Sequence, residues 1–342
     1  MTTGTAPHRA FVLTSEGEIS LTRPDMPQAG RSHVLVRVTA AGVCGTDLTD
    51  YRQRLAAPGT LPAVPLGHEV AGTVADAGES GWAVGTPVVV DPAFFCGACH
   101  HCEAGRTSYC TELKLLGHNY GSGGLTDHLA VPADALVEIP PGIDPVAAAL
   151  IEPLSCAHHA ARKAGDESSE AVIVGAGAIG VGIALVLRAQ GFERLVLLDP
   201  VAERRAAATA LGLDARAEPP SAPAALVFEA SGVEGGFQDA CRLVSRGGHL
   251  VVAAQHAHPL TLDSWLAFGK ELRLSWSLGA LREDFRAVIA LVRTGRLRPE
   301  GMATGIRPED FSTHTLEAMA AGKHPKAVLR MGPATSGGPS PR

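Results

Sequence analysis

Four cysteines in one short stretch, Cys96-x2-Cys99-x2-Cys102-x7-Cys110, constrain this chain more than any other feature. Thiolates at that spacing can close a tetrahedral shell around one Zn²⁺ without help from distant segments. A shell of four protein ligands leaves no position for a substrate. This metal is therefore expected to stabilise a lobe over residues 94–112 and not to catalyse. A redox pair is the competing reading of any Cys-x2-Cys, but two overlapping pairs with a fourth cysteine downstream favour zinc. The chain has 7 cysteines, an odd number with four in this cluster, which fits a reducing cytosol better than a disulfide framework.

A looser set of metal-ligand types is spread along the chain. Cys44 lies in Gly42-Val43-Cys44-Gly45-Thr46-Asp47, His68-Glu69 in Gly67-His68-Glu69-Val70-Ala71-Gly72, and Glu152 in Ile151-Glu152-Pro153. Singly each has a plain reading: a lone cysteine is more often core, and a lone histidine more often a satisfied polar side chain. Together they form the mixed sulfur, nitrogen and oxygen set of a catalytic zinc, with one position left for water or substrate. The residues leave open whether Glu69 or Glu152 binds at rest, and Cys156, one turn past Glu152, is a further competitor.

The third feature is Gly175-Ala176-Gly177-Ala178-Ile179-Gly180. G-x-G-x-x-G alone is weak in a chain with 39 glycines. Here it follows the apolar run Ala171–Val174, opens an apolar helix, and is answered by Asp199 at the end of the next strand run. Gly175 permits the tight turn, Gly177 lets backbone approach a pyrophosphate, and Gly180 lets helix pack close to strand. The phosphates then meet free N–H groups at the positive end of the helix. Asp199 is suited to accept the ribose hydroxyls and to repel a 2′-phosphate, which favours NAD over NADP. Arg204 and Arg205 nearby weaken that preference.

The chain's 342 residues suffice for two domains. Up to Pro140-Pro141 it reads as β-rich, with strands over His33–Thr39 and Thr86–Asp91. Beyond Val146 it becomes Ala-rich and helical in period. Strand runs at Ala171–Val174, Leu195–Asp199, Ala225–Glu229, His249–Ala254 and Glu271–Ser277 alternate with helical segments, including Glu203–Leu211 and Arg282–Thr294. That alternation predicts a parallel, doubly wound sheet. A net charge of −6 gives no reason to expect nucleic acid or an anionic membrane as partner. No apolar run approaches the roughly 20 residues of a membrane span, and Met1–Ala10 lacks the apolar core of a signal peptide. A cytoplasmic enzyme with a small-molecule substrate is the expectation.

In this order and spacing, GVCGTD, GHEVAG, the four-cysteine lobe and GAGAIG resemble the zinc-dependent medium-chain alcohol dehydrogenase family, from about Arg9 to Arg330. Leu150-Ile151-Glu152-Pro153-Leu154-Ser155 is similar to its sorbitol (polyol) dehydrogenase branch. The resemblance implies an α/β chain: a catalytic domain with a partly open, GroES-like β-barrel (1–154), then an NAD-binding Rossmann domain (155–294). The chain would return to the first domain over 295–330 and end in a disordered tail (331–342). It implies one catalytic Zn²⁺ on Cys44, His68 and Glu69 or Glu152, one structural Zn²⁺ on Cys96, Cys99, Cys102 and Cys110, and NAD as hydride acceptor. Thr46 corresponds to the hydroxyl that takes the substrate proton, and Asp47 to the carboxylate that orients the histidine ligand. Ala178, Ile179, Arg204, Ala254, Ser277 and Leu278 fall where the cofactor is contacted, and Asp50, His118, Asn119 and Tyr120 where pockets form. Homodimers or homotetramers are implied, joined along the strand near Glu271–Leu278.

The chain also departs from its relatives. Thr49 stands where many polyol dehydrogenases carry a histidine that passes the proton outward, and Asp50 replaces a tyrosine that contacts sugar alcohol. Gly279 and Ala280 replace a polyol-binding arginine and tyrosine, and Ala93 replaces the histidine that marks threonine dehydrogenases. Sorbitol itself is not the expected substrate. The expected reaction is oxidation of a secondary alcohol (polyol, cyclitol or aminosugar-like) to a ketone with NAD. The alternatives are a physiological carbonyl reductase and a catalytically silent relative. His158 and His159 are expected to pack, and Cys241 to lie in the core.

Overall fold

The computed structural model describes residues 8–165, 169–323 and 326–332. Two large sheets organise them. The first has seven strands, in the order Leu136–Glu138, Pro87–Val90, Glu69–Asp76, His33–Gly42, Ala327–Arg330 and Thr304–Ile306, with His128–Pro132 paired to the start of His33–Gly42. His33–Gly42 alternates in burial, with Val34, Val36 and Val38 turned into the core, as a half-buried strand should. Its last residues pair with both Glu69–Asp76 and the late strand Ala327–Arg330. The end of one stretch of sequence and the beginnings of two distant ones therefore meet at one place.

The second sheet has six strands, all parallel, in the spatial order Asp214–Arg216, Arg194–Leu198, Glu170–Val174, Ala224–Glu229, Val244–Val252 and Arg273–Trp276. Numbered along the chain this is 3-2-1-4-5-6, the doubly wound order whose reversal creates a crevice at the carboxyl ends of the first and fourth strands. Asp214–Arg216 is polar and only three residues long. No apolar run marks it, so sequence periodicity passed over it.

The helix Ile151–Ala161 lies against Ala178–Gln190, which is apolar on nearly every face because sheet and helix cover both sides. Gly182 sets the closeness: a Cβ there would stand 3.0 Å from the Ala157 Cβ. Leu154 and Ile151 are fully buried in this seam, each contributing about 1.5–3 kcal/mol by burial. Polar contacts fix the other side. The Nδ1 atoms of His158 and His159 lie 2.7 and 2.9 Å from the two oxygens of buried Asp284 on the helix Arg282–Arg293. Asp284 also caps its own helix by accepting from the Leu281 N–H at 2.9 Å.

Met331, which composition placed in a tail, is fully buried, and its N–H donates to the Thr39 carbonyl at 2.9 Å. The rest of the expected tail, residues 333–342, lies outside the described residues. Among the described residues no helix is long and apolar enough to cross a membrane.

Candidate active site

Cys44 lies two residues past the strand His33–Gly42 and N-caps the helix Gly45–Ala56. Asp47, at the third helical position, accepts from the Cys44 N–H at 2.7 Å and, with its other oxygen, from the Gly67 N–H at 3.1 Å. One buried carboxylate thus ties the cysteine-bearing turn to the turn that precedes His68. It does so through backbone, since both its oxygens are taken by N–H groups.

The sulfur of Cys44, an imidazole nitrogen of His68 and a carboxylate oxygen of Glu69 all lie within 4.8 Å of one another. His68 and Glu69 are buried, yet His68 Nδ1 and Glu69 Oε2 have no hydrogen-bond partner. Leaving such groups unpaired in the interior costs about 1–3 kcal/mol each. A divalent cation on these orphaned atoms would remove that cost, and a thiolate, an imidazole and a carboxylate are a donor set that Zn²⁺ accepts. The residues therefore fit the metal. The electrostatics agree: burial alone would lower the His68 pKa, but the negative groups of Cys44, Asp47 and Glu152 outweigh it and raise it to about 10.

Glu69's other oxygen accepts a hydrogen bond from the ammonium of Lys326, itself buried, which arrives on the chain just before the strand Ala327–Arg330. Sequence reasoning missed Lys326: it stands 257 positions away and belongs to no motif. Gly42 makes room for the carboxylate, since a Cβ at that position would collide with Glu69 Oε2 at 1.9 Å.

Glu152 stands beside the group and outside it. The Cys156 thiol donates to its Oε1 at 3.4 Å. Burial, opposed by His68 and reinforced by Glu69, pushes the Glu152 carboxyl up to about 7. The Cys156 thiol is pushed up further by burial and by Glu152, which makes it a proton donor to the carboxylate. Thr46 Oγ1 lies 3.9 Å from Cys44 Sγ.

The expected pocket residues separate. His118 reaches the helix Gly45–Ala56, with Nδ1 3.2 Å from Asp50 Oδ2. Asn119 is engaged within its own loop, its Oδ1 accepting from the Leu115 N–H at 2.6 Å. Tyr120 turns elsewhere, its hydroxyl 3.1 Å from His33 Nε2 and its ring edge-on to Phe94.

The cysteine lobe forms a second, self-contained centre. Its sulfurs lie 3.5 Å apart for Cys96–Cys110 and Cys99–Cys102, and 4.0 Å apart for Cys96–Cys102. A Zn–S bond of 2.3 Å in a tetrahedron gives an edge of about 3.8 Å, so the four thiols already stand at zinc spacing. Backbone N–H groups of Cys102 and Thr111 lower the Cys99 thiol to about 5, favouring the thiolate.

At the crevice of the parallel sheet, Gly175 has φ +105°, and a Cβ on it would lie 2.7 Å from the Ala230 backbone of the neighbouring strand's end. A Cβ on Gly180 would strike the Gly175 carbonyl at 1.8 Å, whereas Gly177 faces open space. Asp199 is buried next to the loop and accepts from the Ala176 and Val201 N–H groups, with Arg204 Nη1 3.6 Å from its carboxylate. Ala254, Ser277 and Leu278 follow the carboxyl ends of the next two strands, bordering the same edge of the sheet. Backbone donors and an open glycine at a helix N-terminus suit a dinucleotide.

Comparisons with known proteins agree with this geometry. The sequence profile for the alcohol dehydrogenase GroES-like domain matches residues 30–141. The 2-dehydro-3-deoxy-L-galactonate 5-dehydrogenase of Pseudoalteromonas atlantica is 35% identical over 301 residues, covering 82% of this chain and 86% of its own. The L-galactonate-5-dehydrogenase of Escherichia coli is 31% identical, covering 86% of this chain and 89% of its own. A zinc-binding dehydrogenase of Sinorhizobium meliloti, solved with NADP, superposes with a TM-score of 0.85 at 28% identity, covering 95% of this chain and 100% of that one. The chain therefore belongs to the zinc-dependent medium-chain alcohol dehydrogenase family, in its polyol branch, as a zinc- and nicotinamide-dependent oxidoreductase acting on CH–OH donors.

Proposed function

We propose that the chain oxidises one secondary hydroxyl of a polyol or sugar acid to a ketone, with NAD as acceptor. The observation that carries this is the convergence of Cys44, His68 and Glu69 with orphaned buried atoms, next to the Thr46 hydroxyl. Zn²⁺ supplies Lewis acidity that makes a bound hydroxyl acidic, and the nicotinamide accepts hydride. The protein's own residues do the rest. Cys44, His68 and Glu69 hold the metal, with Asp47 fixing the spacing of their two turns and Lys326 fixing one oxygen of Glu69. Glu152 is the reserve carboxylate, steadied by Cys156. Thr46 receives the substrate proton. Gly175, Gly177, Ala178, Ile179 and Gly180 cradle the pyrophosphate, and Asp199 with Arg204 receives the adenosine ribose.

The proposed division is a catalytic domain (1–154 and 295–330) and a cofactor domain (155–294), and the separation of the strands into two large sheets supports it. A homodimer or homotetramer is proposed, joined along the strand Arg273–Trp276, the last in the order of the parallel sheet among the described residues. Trp276 and Leu278 at this edge are 56% and 62% exposed, and Trp265 and Phe268 on the preceding helix are each 80% exposed, an apolar set that a second copy would cover. All seven cysteines are free thiols in the structure, which suits a reducing cytosol.

The test is NADH formation with L-galactonate, 2-dehydro-3-deoxy-L-galactonate, pentitols and cyclitols, run with NAD and NADP in parallel. Turnover with at least one of these, and preference for NAD, is expected. Protein carrying both zinc ions and inert to all of them would defeat the proposal.

A further inference from the structure

Oxidation of an alcohol releases a proton as well as a hydride, and the half-buried Thr46 hydroxyl has to pass that proton on. Thr49 is not placed to do so, because its hydroxyl donates to the Gly45 carbonyl at 3.1 Å within its own helix. The polar side chain on the Thr46 face one turn later is Asp50, since residues four apart on a helix are neighbours. Asp50 is 6% exposed. Its Oδ2 lies 3.2 Å from His118 Nδ1, and Arg54 Nη1 lies 3.8 Å from its Oδ1.

His118 connects this buried carboxylate to water, with its side chain 48% exposed. The loop that carries it is pinned against the metal-ligand turn. A Cβ on Gly117 would lie 2.4 Å from the Gly67 carbonyl, and the Gly124 N–H donates to that same carbonyl at 2.8 Å. The charged group recorded against the imidazole is Asp50, and Arg54, one turn further along the same helix, stands on the other oxygen of that carboxylate.

We propose that Asp50 and His118 form the proton outlet of the site. The inference rests on the dehydrogenase reading above. In each turnover the substrate O–H bond breaks and its electron pair becomes the second bond of the ketone C=O, while the C–H bond breaks and its pair leaves with the hydrogen as hydride for the nicotinamide. The proton passes from Thr46 to the Asp50–His118 pair and leaves from the exposed edge of the imidazole to water or buffer. Asp50 and His118 end as they began. The pair occupies the departure noted in the sequence, where Thr49 and Asp50 replace the histidine and tyrosine of related enzymes.

The test compares wild-type enzyme, His118→Ala, His118→Gln and Asp50→Asn as zinc-loaded proteins with NAD and the best alcohol of the panel. For His118→Ala, kcat near neutral pH is expected to fall about 10- to 100-fold, with KM within about 2-fold of wild type. Added imidazole or higher pH restores kcat, and Asp50→Asn shows the same slow kcat without imidazole rescue. Zinc content and the fluorescence titration of NADH stay at wild-type values. A His118→Ala enzyme as fast as wild type overturns the outlet. So does one slowed through KM with no imidazole rescue, which would make the pair a substrate contact. A wild type inert to every alcohol overturns the dehydrogenase reading itself, and the outlet with it.

Discussion

The molecule builds two metal centres in opposite ways. The four cysteines of the lobe come from one short segment, closed by the strand pair Ala93–Phe94 and Lys114–Leu115, with Cys96 exposed and only Cys110 buried. The other centre gathers Cys44 from just past the end of a strand and His68 and Glu69 from the start of another, with Glu152 from a helix and Lys326 from the return of the chain beside them. The local centre is closed, and its sulfurs use one another and nearby N–H groups. The distributed one retains orphaned atoms in the interior. A site that must leave a coordination position open needs walls from several elements, and those walls cost polar burial that a local knot of thiols avoids.

Four variants sharpen or break this contrast. Cys44→Ser has the largest expected effect: turnover falls on the order of 10³-fold, about 4 kcal/mol of barrier, and zinc content drops by about one per chain. If elemental analysis shows both zinc ions retained, Cys44 is not a ligand.

Cys102→Ser acts on the other centre. It is expected to lose the lobe's zinc and roughly 3 kcal/mol of lobe stability, seen as a Tm lower by several degrees. Initial rates at low temperature should stay within about 10-fold of wild type. Loss of both metals together would show that the two centres are not independent.

Lys326→Met removes the charge that holds Glu69. Zinc at the distributed site should bind about 10- to 100-fold more weakly in chelator competition, while the quartet's zinc is unmoved. Unchanged competition curves would reduce Lys326 to a buried counter-ion.

Asp284→Asn tests the scaffold under Glu152. Burial opposes ionisation of Asp284, but its bonds to His158 and His159 hold its pKa well below the usual carboxylate range. A carboxylate so depressed stabilises the fold above its unfolded pKa of about 3.9, and that contribution is lost as pH falls below it. The variant is expected to cost about 2 kcal/mol in urea unfolding at pH 7, and the difference should close as pH approaches its acid limit. A gap independent of pH would contradict a stabilising, ionised Asp284.

The same contrast explains what was legible in the sequence. Ligands that sit in one motif, such as the quartet or the glycine loop, carry their geometry in their spacing. Cys44, His68 and Glu69 were legible through their motifs, but the arrangement of the carboxylates was not. Spacing alone does not place Glu69 in the ligand group and Glu152 beside it. That arrangement depends on Gly42 clearing space for Glu69, Lys326 holding one of its oxygens, and the packing of Ala157 on Gly182 that positions the Glu152 helix. Asn119 and Tyr120 show the same limit from the other side. Both lie on the loop beside the site, yet one side chain completes its own turn and the other bonds His33. Loop position predicts proximity, whereas side-chain direction depends on partners from other segments.

The most direct test is anomalous diffraction at the zinc edge from crystals of the zinc-loaded protein. Two peaks per chain are expected, one among the sulfurs of the lobe and one within bonding distance of Cys44 Sγ, the His68 imidazole and Glu69. A lone peak in the lobe, with the second site empty under saturating zinc, would contradict the account.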